Sequence, residues 1–130
     1  MTTRLELDPV PSAVRTARAA VLSDDVIANL PEETKRNIAL IVSELLTNAV
    51  AAATGPGPVI IEVFRAGSSV TILVSNAGTL DIGDDVFSLP PPEEPRGRGL
   101  GIVAKLAREV EMTNSAGTTT VRAVVEAVPA

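Results

Sequence analysis

One long apolar repeat that ends abruptly constrains the fold more than any other feature. After Pro31 and two glutamates, apolar residues recur three and four positions apart, as on one face of an α-helix: Ile38, Ile41, Val42, Leu45, Leu46 and Ala49. Residues 54–58, Thr-Gly-Pro-Gly-Pro, must stop this helix, because proline cannot continue the hydrogen-bond ladder and glycine accepts a left-handed C-terminal conformation. The sequence therefore predicts a helix from Pro31 to about Ala53.

The remaining segments predict shorter elements around this helix. Alternation and helical spacing predict a strand over 4–7, a helix over 13–22, strands over 59–64 and 70–74 around a loop at 65–69, a helix from 97 to about 108, and strands over 110–112 and 118–125 around a turn at 114–117. This order predicts the α+β class, with a two-layer α/β sandwich whose mostly antiparallel mixed sheet is covered on one face by about three helices. We see no internal repeat or boundary, so residues 1–130 are expected to form a single domain.

Composition excludes several classes of function. The net charge of -5 argues against a nucleic-acid surface, which needs Lys and Arg to neutralise phosphates. The chain has no Cys and no His, so disulfides, Cys-ligated zinc and a phosphohistidine of its own are ruled out. No apolar run is long enough for a membrane span, and no signal peptide is recognisable at the N-terminus, so we expect a cytoplasmic protein with no membrane association.

Residues 79–96 lack any periodicity. They contain four prolines and five acidic residues, and the eighteen-residue length exceeds the usual connection between elements. We expect a mobile surface loop here that acts as a lid or is disordered.

Three segments carry candidate chemistry, and the first is Glu44 with Asn48. Four residues apart, their side chains lie one turn apart on one face of the long helix. Taken alone, the pair also fits two surface positions of an amphipathic helix.

The second segment is the glycine cluster Gly97, Gly99 and Gly101 at the start of a predicted helix. Glycines allow close backbone approach, and a helix N-terminus offers free N–H groups to an anion such as phosphate. Arg96 and Arg98 add positive charge in an acidic protein. A glycine cluster by itself also serves ordinary turns.

The third segment is residues 74–79, where a predicted strand ends in Asn76 and Gly78. The amide could meet the edge of a base while the glycine admits the ring. An ordinary strand that ends in an Asn-x-Gly turn explains the segment equally well.

Together and in this order, the three segments resemble the GHKL, or histidine-kinase-like, ATPases, and most closely the small bacterial anti-sigma regulatory serine kinases. Residues 41–50, with the string Ser-Glu-Leu-x-x-Asn-Ala, look like the N box of that family. Residues 74–80 look like its first glycine box and residues 97–101 like its second. The resemblance covers almost the whole chain and implies a Bergerat-type ATP-binding fold in which residues 79–96 form the ATP lid.

The resemblance also implies roles for individual residues. Asn48 would help to hold Mg²⁺ against the phosphates of ATP, and Glu44 would be the general base. Asn76 and Gly78 would meet the adenine. The phosphates would lie among the residues of the second glycine box and its flanking arginines, which are Arg96, Gly97, Arg98, Gly99, Leu100 and Gly101.

Three positions depart from the family pattern. Asn76 stands where the family usually has an aspartate that accepts a hydrogen bond from the adenine amino group, and Asn keeps an acceptor oxygen but loses the charge. Ala52 stands where a His or a basic residue is common, and Leu80 replaces a glycine. Asn76 predicts weakened ATP affinity, whereas Ala52 and Leu80 together bear on catalysis more than on binding.

Three functions remain open at this point. The resemblance implies an ATP-binding anti-sigma-factor-like regulator that binds a sigma factor and phosphorylates a serine of an antagonist protein, acting as a homodimer. The first alternative is a non-catalytic nucleotide-binding or protein-interaction module on the same fold. The second is a stand-alone histidine kinase ATPase domain. Asn76 could also donate to a carbonyl oxygen, so the residues leave ATP and GTP undecided.

Overall fold

The computed structural model of the protein describes residues 2–53, 57–77 and 98–127. Along these residues the elements are β1 (Thr2–Leu7), α1 (Ser12–Ser23), α2 (Asp25–Ala28), α3 (Glu32–Ala52), β2 (Val59–Ala66), β3 (Ser69–Ala77), α4 (Arg98–Leu106), β4 (Glu109–Ser115) and β5 (Thr118–Glu126). The predicted order of elements is confirmed. The single turn α2, between α1 and α3, was not predicted.

Helix α3 forms where the apolar repeat predicts it. Pro31 occupies the N-cap position, and Glu32 and Glu33 lie in the first turn, where acidic residues interact favourably with the helix dipole. Lys35 forms an ion pair with Glu32 at 2.8 Å, and its hydrogen bond holds the pKa of the Glu32 carboxyl below the ordinary value. The helix ends at Ala52, directly before the glycine- and proline-rich segment.

The strands form one open sheet in the order β1-β2-β3-β5-β4, and every pair of neighbours in it is antiparallel. Strands β3 and β4 both pair with β5, so they run parallel to each other, and α4 ends two residues before β4 along the chain. The predicted α+β sandwich is confirmed, with a sheet whose described pairings are antiparallel throughout.

The core lies between one face of this sheet and the helices. Alternate residues of the central strands β2, β3 and β5 point into it, and α3 supplies the largest group of fully buried side chains: Ile38, Ile41, Val42, Leu45 and Leu46. Helix α1 packs on one flank of α3 and α4 on the other. Among the described residues, no helix is long and apolar enough to cross a membrane.

The hairpin between β2 and β3 turns more tightly than predicted. Ala66 pairs with Ser69, so two residues form the turn, and Gly67 adopts the left-handed φ of 59°. The predicted loop over 65–69 was therefore too long, because a two-residue turn with a left-handed residue matches the twist of the strands on either side.

The hairpin between β4 and β5 also turns more tightly than predicted, which changes the position of Asn114. Its turn consists of Ala116 and Gly117, whose φ angles of 51° and 78° are those of a type I′ turn. The predicted turn over 114–117 was two residues too long at its start. Asn114 and Ser115 belong to β4 and pair with β5.

Several elements begin or end at the same end of the sandwich, which we call the site end. The start of β2 lies beside the end of β3, since Ile60 pairs with Ser75, and the start of β5 lies there as well, since Asn76 pairs with Thr119. Helix α3 ends a few residues before β2 begins. Helix α4 ends two residues before β4, whose first residue Glu109 pairs with Val124 at the opposite end of the sheet, so the first turn of α4 is directed toward the site end.

Candidate functional site

Helix α3 presents Glu44 and Asn48 on the flank that faces α4. Ser43 marks the opposite flank, since its Oγ accepts a hydrogen bond from Arg18 Nη1 of α1 at 3.3 Å. At 3.6 residues per turn, Glu44 and Asn48 lie on the other side of the helix, where α4 packs. Both side chains are half-buried. The predicted pair therefore lies on the flank of α3 where α4 packs, and neither side chain is fully exposed.

The side-chain amide of Asn48 is the most unusual polar group on this flank of α3. Its Nδ2 atom is buried and has no hydrogen-bond partner in the part of the chain that the structure describes. A buried donor without an acceptor costs about 1–3 kcal/mol, and such groups are rare in native proteins. The amide is thus placed for an acceptor that the described residues do not supply.

The carboxylate of Glu44 is similarly uncommitted. No described residue donates a hydrogen bond to it or forms an ion pair with it. A carboxylate one helical turn from the Asn48 amide has the chemistry of a general base toward a ligand that meets both side chains.

The first turn of α4 belongs to the helix that packs against this flank of α3. Arg98, Gly99, Leu100 and Gly101 are its first four residues, and the first N–H groups of a helix have no acceptors within the helix. Leu100 is buried in the core and so fixes this turn against α3. The first turn of α4 is therefore anchored to the core through Leu100, and its free N–H groups can donate to an anion.

Strand β3 supplies Asn76, although the predicted strand ended earlier. The strand continues to Ala77, and Asn76 is 3% exposed on the face covered by the helices. Its Nδ2 donates to the Ala77 carbonyl oxygen at 3.3 Å. Ser75 turns to the other face, where its hydroxyl meets Thr120 Oγ1 at 3.1 Å. Of the described part of this segment, Asn76 alone brings a side-chain amide to the site end.

Two residues at the site end, Thr119 and Asn114, were not singled out from the sequence. Thr119 is fully buried directly opposite Asn76 on β5, and its Oγ1 donates to Asn114 Oδ1 of β4 at 2.6 Å. The period of two in β5 already places Thr119 on the same face as Val121 and Ala123, the core face, which is a signal for a buried hydroxyl. Asn114 was hidden because it was assigned to the turn.

The other predicted site positions lie outside the described residues. These are Gly78, Arg96 and Gly97, together with Leu80, the predicted lid over 79–96 and the side chain of Arg98. Ala52, one turn beyond Asn48, is the last residue of α3 and is half-buried. Of the predicted site residues that the structure describes, Asn76 lies at the end of β3, Glu44 and Asn48 lie one turn apart in the C-terminal half of α3, and Leu100 and Gly101 lie in the first turn of α4.

The model of the histidine kinase-like ATPase domain family matches residues 7–125, nearly the whole chain. This chain therefore belongs to that family. No curated protein sequence matches the chain.

Solved structures share the fold at low sequence identity. The RsbU and RsbW domains of Rv1364c from Mycobacterium tuberculosis superpose with a TM-score of 0.75 at 20% identity, over 97% of this chain and 32% of that one. The catalytic domain of histidine kinase ThkA gives a TM-score of 0.62 at 14% identity, over 99% of this chain and 97% of that one. The Acinetobacter baumannii histidine kinase AdeS gives a TM-score of 0.58 at 14% identity, over 96% of this chain and 68% of that one. The chain therefore spans about a third of the Rv1364c structure, and these likenesses show the fold.

Proposed function

We propose that the protein binds ATP with Mg²⁺ in the cleft between α3 and α4 at the site end. The observation that carries this proposal is the buried Nδ2 of Asn48, which lacks an acceptor among the described residues. A phosphate oxygen is the strongest acceptor that a nucleotide could bring to it. Membership of an ATPase domain family supports the same ligand.

The residues of the cleft fit such a ligand. The N–H groups of the first turn of α4 favour an anion, and Asn48 Oδ1 is the kind of hard oxygen ligand that Mg²⁺ prefers. No group of three or more carboxylates able to hold a metal occurs within the described ranges. Mg²⁺ would therefore be held by few protein ligands together with the phosphates, which is its usual coordination in nucleotide sites. Gly78, Arg96 and Gly97 complete the proposed site.

The proposed activity is phosphoryl transfer to a serine of a partner protein. Glu44 would orient the serine hydroxyl and take its proton as the oxygen attacks the γ-phosphorus, while the bond to the bridging oxygen breaks and ADP leaves. Bound Mg²⁺ would neutralise charge on the phosphates. The protein's contribution is position: Glu44 lies one turn from Asn48 on a rigid helix.

In the cell, we propose that the chain acts as a cytoplasmic anti-sigma-factor-like regulator. Its partners would be a sigma factor and a serine-bearing antagonist protein, and it would act as a homodimer. The fold shared with the Rv1364c structure, which contains an RsbW domain, supports this assignment over a general nucleotide-binding role.

A non-catalytic nucleotide-binding module is the second candidate. Asn76 and Ala52 favour it, since each removes a charged or basic group that the resemblance leads us to expect. A stand-alone histidine kinase ATPase domain is the third candidate, and the fold shared with ThkA supports it.

Calorimetric titration with ATP, ADP and GTP in the presence of Mg²⁺ tests the binding proposal. The control pair is Asn48→Ala and Asn37→Ala, because Asn37 lies eleven residues earlier on α3, three turns away on the same flank. We expect saturable binding that Asn48→Ala weakens at least about tenfold and Asn37→Ala leaves unchanged. The absence of binding at millimolar nucleotide would overturn the proposal. If the nucleotide binds, an assay of phosphate transfer to a serine of an antagonist protein distinguishes the kinase from the non-catalytic module.

A further inference from the structure

The face of the sheet opposite the core carries a group of apolar side chains at its centre. Strand residues alternate between the two faces, and the described helices pack on the core face. On the other face, which we call the open face, lie Ile60 and Phe64 of β2 and Leu73 of β3. All three side chains are half-buried, and none of them belongs to the core. The open face therefore has an apolar centre that the core does not use.

Charged residues of the open face form an ordered row across the whole sheet. The register places side by side Arg4 of β1, Glu62 of β2, Leu73 of β3, Arg122 of β5 and Glu111 of β4. From one edge of the sheet to the other, the row therefore reads positive, negative, apolar, positive, negative. When the row is reversed about its apolar centre, each positive residue takes the place of a negative one.

The two carboxylates of this row have no cation within the described part of the chain. Arg4 and Arg122 form their ion pairs with carboxylates outside the row. No described residue forms an ion pair with Glu62 or with Glu111. Both carboxylates are therefore available to cations of another molecule.

We propose that the open face binds a second copy of the chain, with the two sheets face to face about a two-fold axis that runs through Leu73 along the strands. Because this axis follows the central strand β3, β2 lies over β5 of the other copy and β1 lies over its β4. Glu62 then faces Arg122 of the partner subunit, and Glu111 faces Arg4 of the partner subunit. A symmetric interface makes each contact twice, so every carboxylate of the two rows meets a cation.

The size of the open face and the geometry of packed sheets are compatible with this dimer. Packed sheets cross at about 30°, so the contact of Glu62, which lies about 5 Å from the axis, is displaced sideways by only about 3 Å. Strands about 4.8 Å apart and about seven residues long give a five-stranded face of about 550 Å². Two such faces together bury about 1,100 Å², which reaches the size that a specific interface requires.

The order of charges favours this arrangement over the alternatives. An axis that crosses the strands would place Arg4 against Arg4 and Glu62 against Glu62, and such like-charge contacts are unfavourable. An unrelated partner would need the complementary order of charges, which a second copy of the chain already has. Because the axis follows the strands, both site ends lie at the same end of the dimer. The inference rests on the homodimer of the proposed function and uses no residue of the proposed nucleotide site.

Sedimentation equilibrium of charge-reversal variants tests the inference. Glu62→Arg alone and Arg122→Glu alone each place two pairs of like charges in the interface, so the dimer dissociation constant should rise at least about thirtyfold. An equimolar mixture of these two variants restores opposite charges at both contacts and should form a heterodimer with nearly the native affinity. Glu33→Arg and Arg15→Glu make the same changes of charge at exposed positions of the helices, and each should leave the dissociation constant within about twofold of the native value.

The outcomes distinguish this interface from the rest of the proposed function. A native protein that stays monomeric at every concentration overturns the interface and the homodimer, whereas the nucleotide site is tested independently by calorimetry. If the native protein dimerises and either single variant dimerises equally well, the face-to-face arrangement is overturned and the homodimer stands. A mixture that associates no more tightly than its two components also overturns the arrangement, provided that thermal unfolding shows both variants to be folded.

Discussion

Replacement of Asn48 by leucine should stabilise the nucleotide-free protein while it removes nucleotide binding. The buried Nδ2 has no acceptor among the described residues, and an apolar side chain of similar size removes that cost. Because Asn48 is half-buried, we expect the lower end of the usual range, about 1 kcal/mol. The higher helix propensity of leucine adds a few tenths of a kcal/mol.

Urea unfolding followed by far-ultraviolet circular dichroism measures this gain, since the chain has no Trp or Tyr for fluorescence. Asn37→Leu is the matched control, because it makes the same change in helix propensity on the same flank of α3. The midpoint for Asn48→Leu should exceed that of Asn37→Leu by about 0.5 M. At nucleotide concentrations about a hundredfold above the dissociation constant, the native protein should gain about 2.7 kcal/mol and overtake the variant. A midpoint for Asn48→Leu at or below that of the control would refute the reasoning.

Three further substitutions test separate parts of the account. Asn76→Asp should tighten ADP binding about fivefold by calorimetry and lower the stability of the nucleotide-free protein, because the charged acceptor is stronger but costly to bury; equal affinities would show that residue 76 does not meet the base. Glu44→Gln should reduce phosphate transfer by about a hundredfold or more while the ADP dissociation constant changes less than about twofold, and a parallel loss of binding would exclude the role of a general base. Ala116→Gly should raise the free energy of unfolding by about 0.5 kcal/mol in urea titrations, since Ala116 has a φ of 51°; destabilisation would mean that its methyl group makes a contact of its own.

The sequence predicts the fold well wherever a long periodic pattern meets a strong stop signal. Helix α3 is the best example, because its repeat and the segment after Ala53 allow one interpretation only. The hairpin turns were predicted less well, since their polar residues suit either a loop or a strand end, and backbone twist decides between them. Helix α2 is a single turn, too short to produce a periodic signal.

At the candidate site, too, some positions could be predicted from the sequence and others could not. The spacing of Glu44 and Asn48 predicts that they share one flank of α3, because helical geometry fixes how such residues lie, whereas their proposed roles come from the family resemblance. Thr119 and Asn114 could not be placed opposite Asn76 from the sequence, because their positions depend on the register between β3, β5 and β4. Register is set by tertiary pairing and turn length, and the error in the β4–β5 turn removed Asn114 from its strand.

Nuclear magnetic resonance of the ¹⁵N-labelled protein during titration with Mg²⁺ and ADP tests the central claim most directly. The side-chain NH₂ groups of Asn48 and Asn76 and the backbone N–H groups of Leu100 and Gly101 report on the cleft from both walls. We predict that these signals show the largest shifts and that all four follow one saturation curve. Saturable binding with the largest shifts at Gly67 and Ser68, at the far end of the sheet, would contradict the proposed site, as would spectra that do not change at millimolar nucleotide.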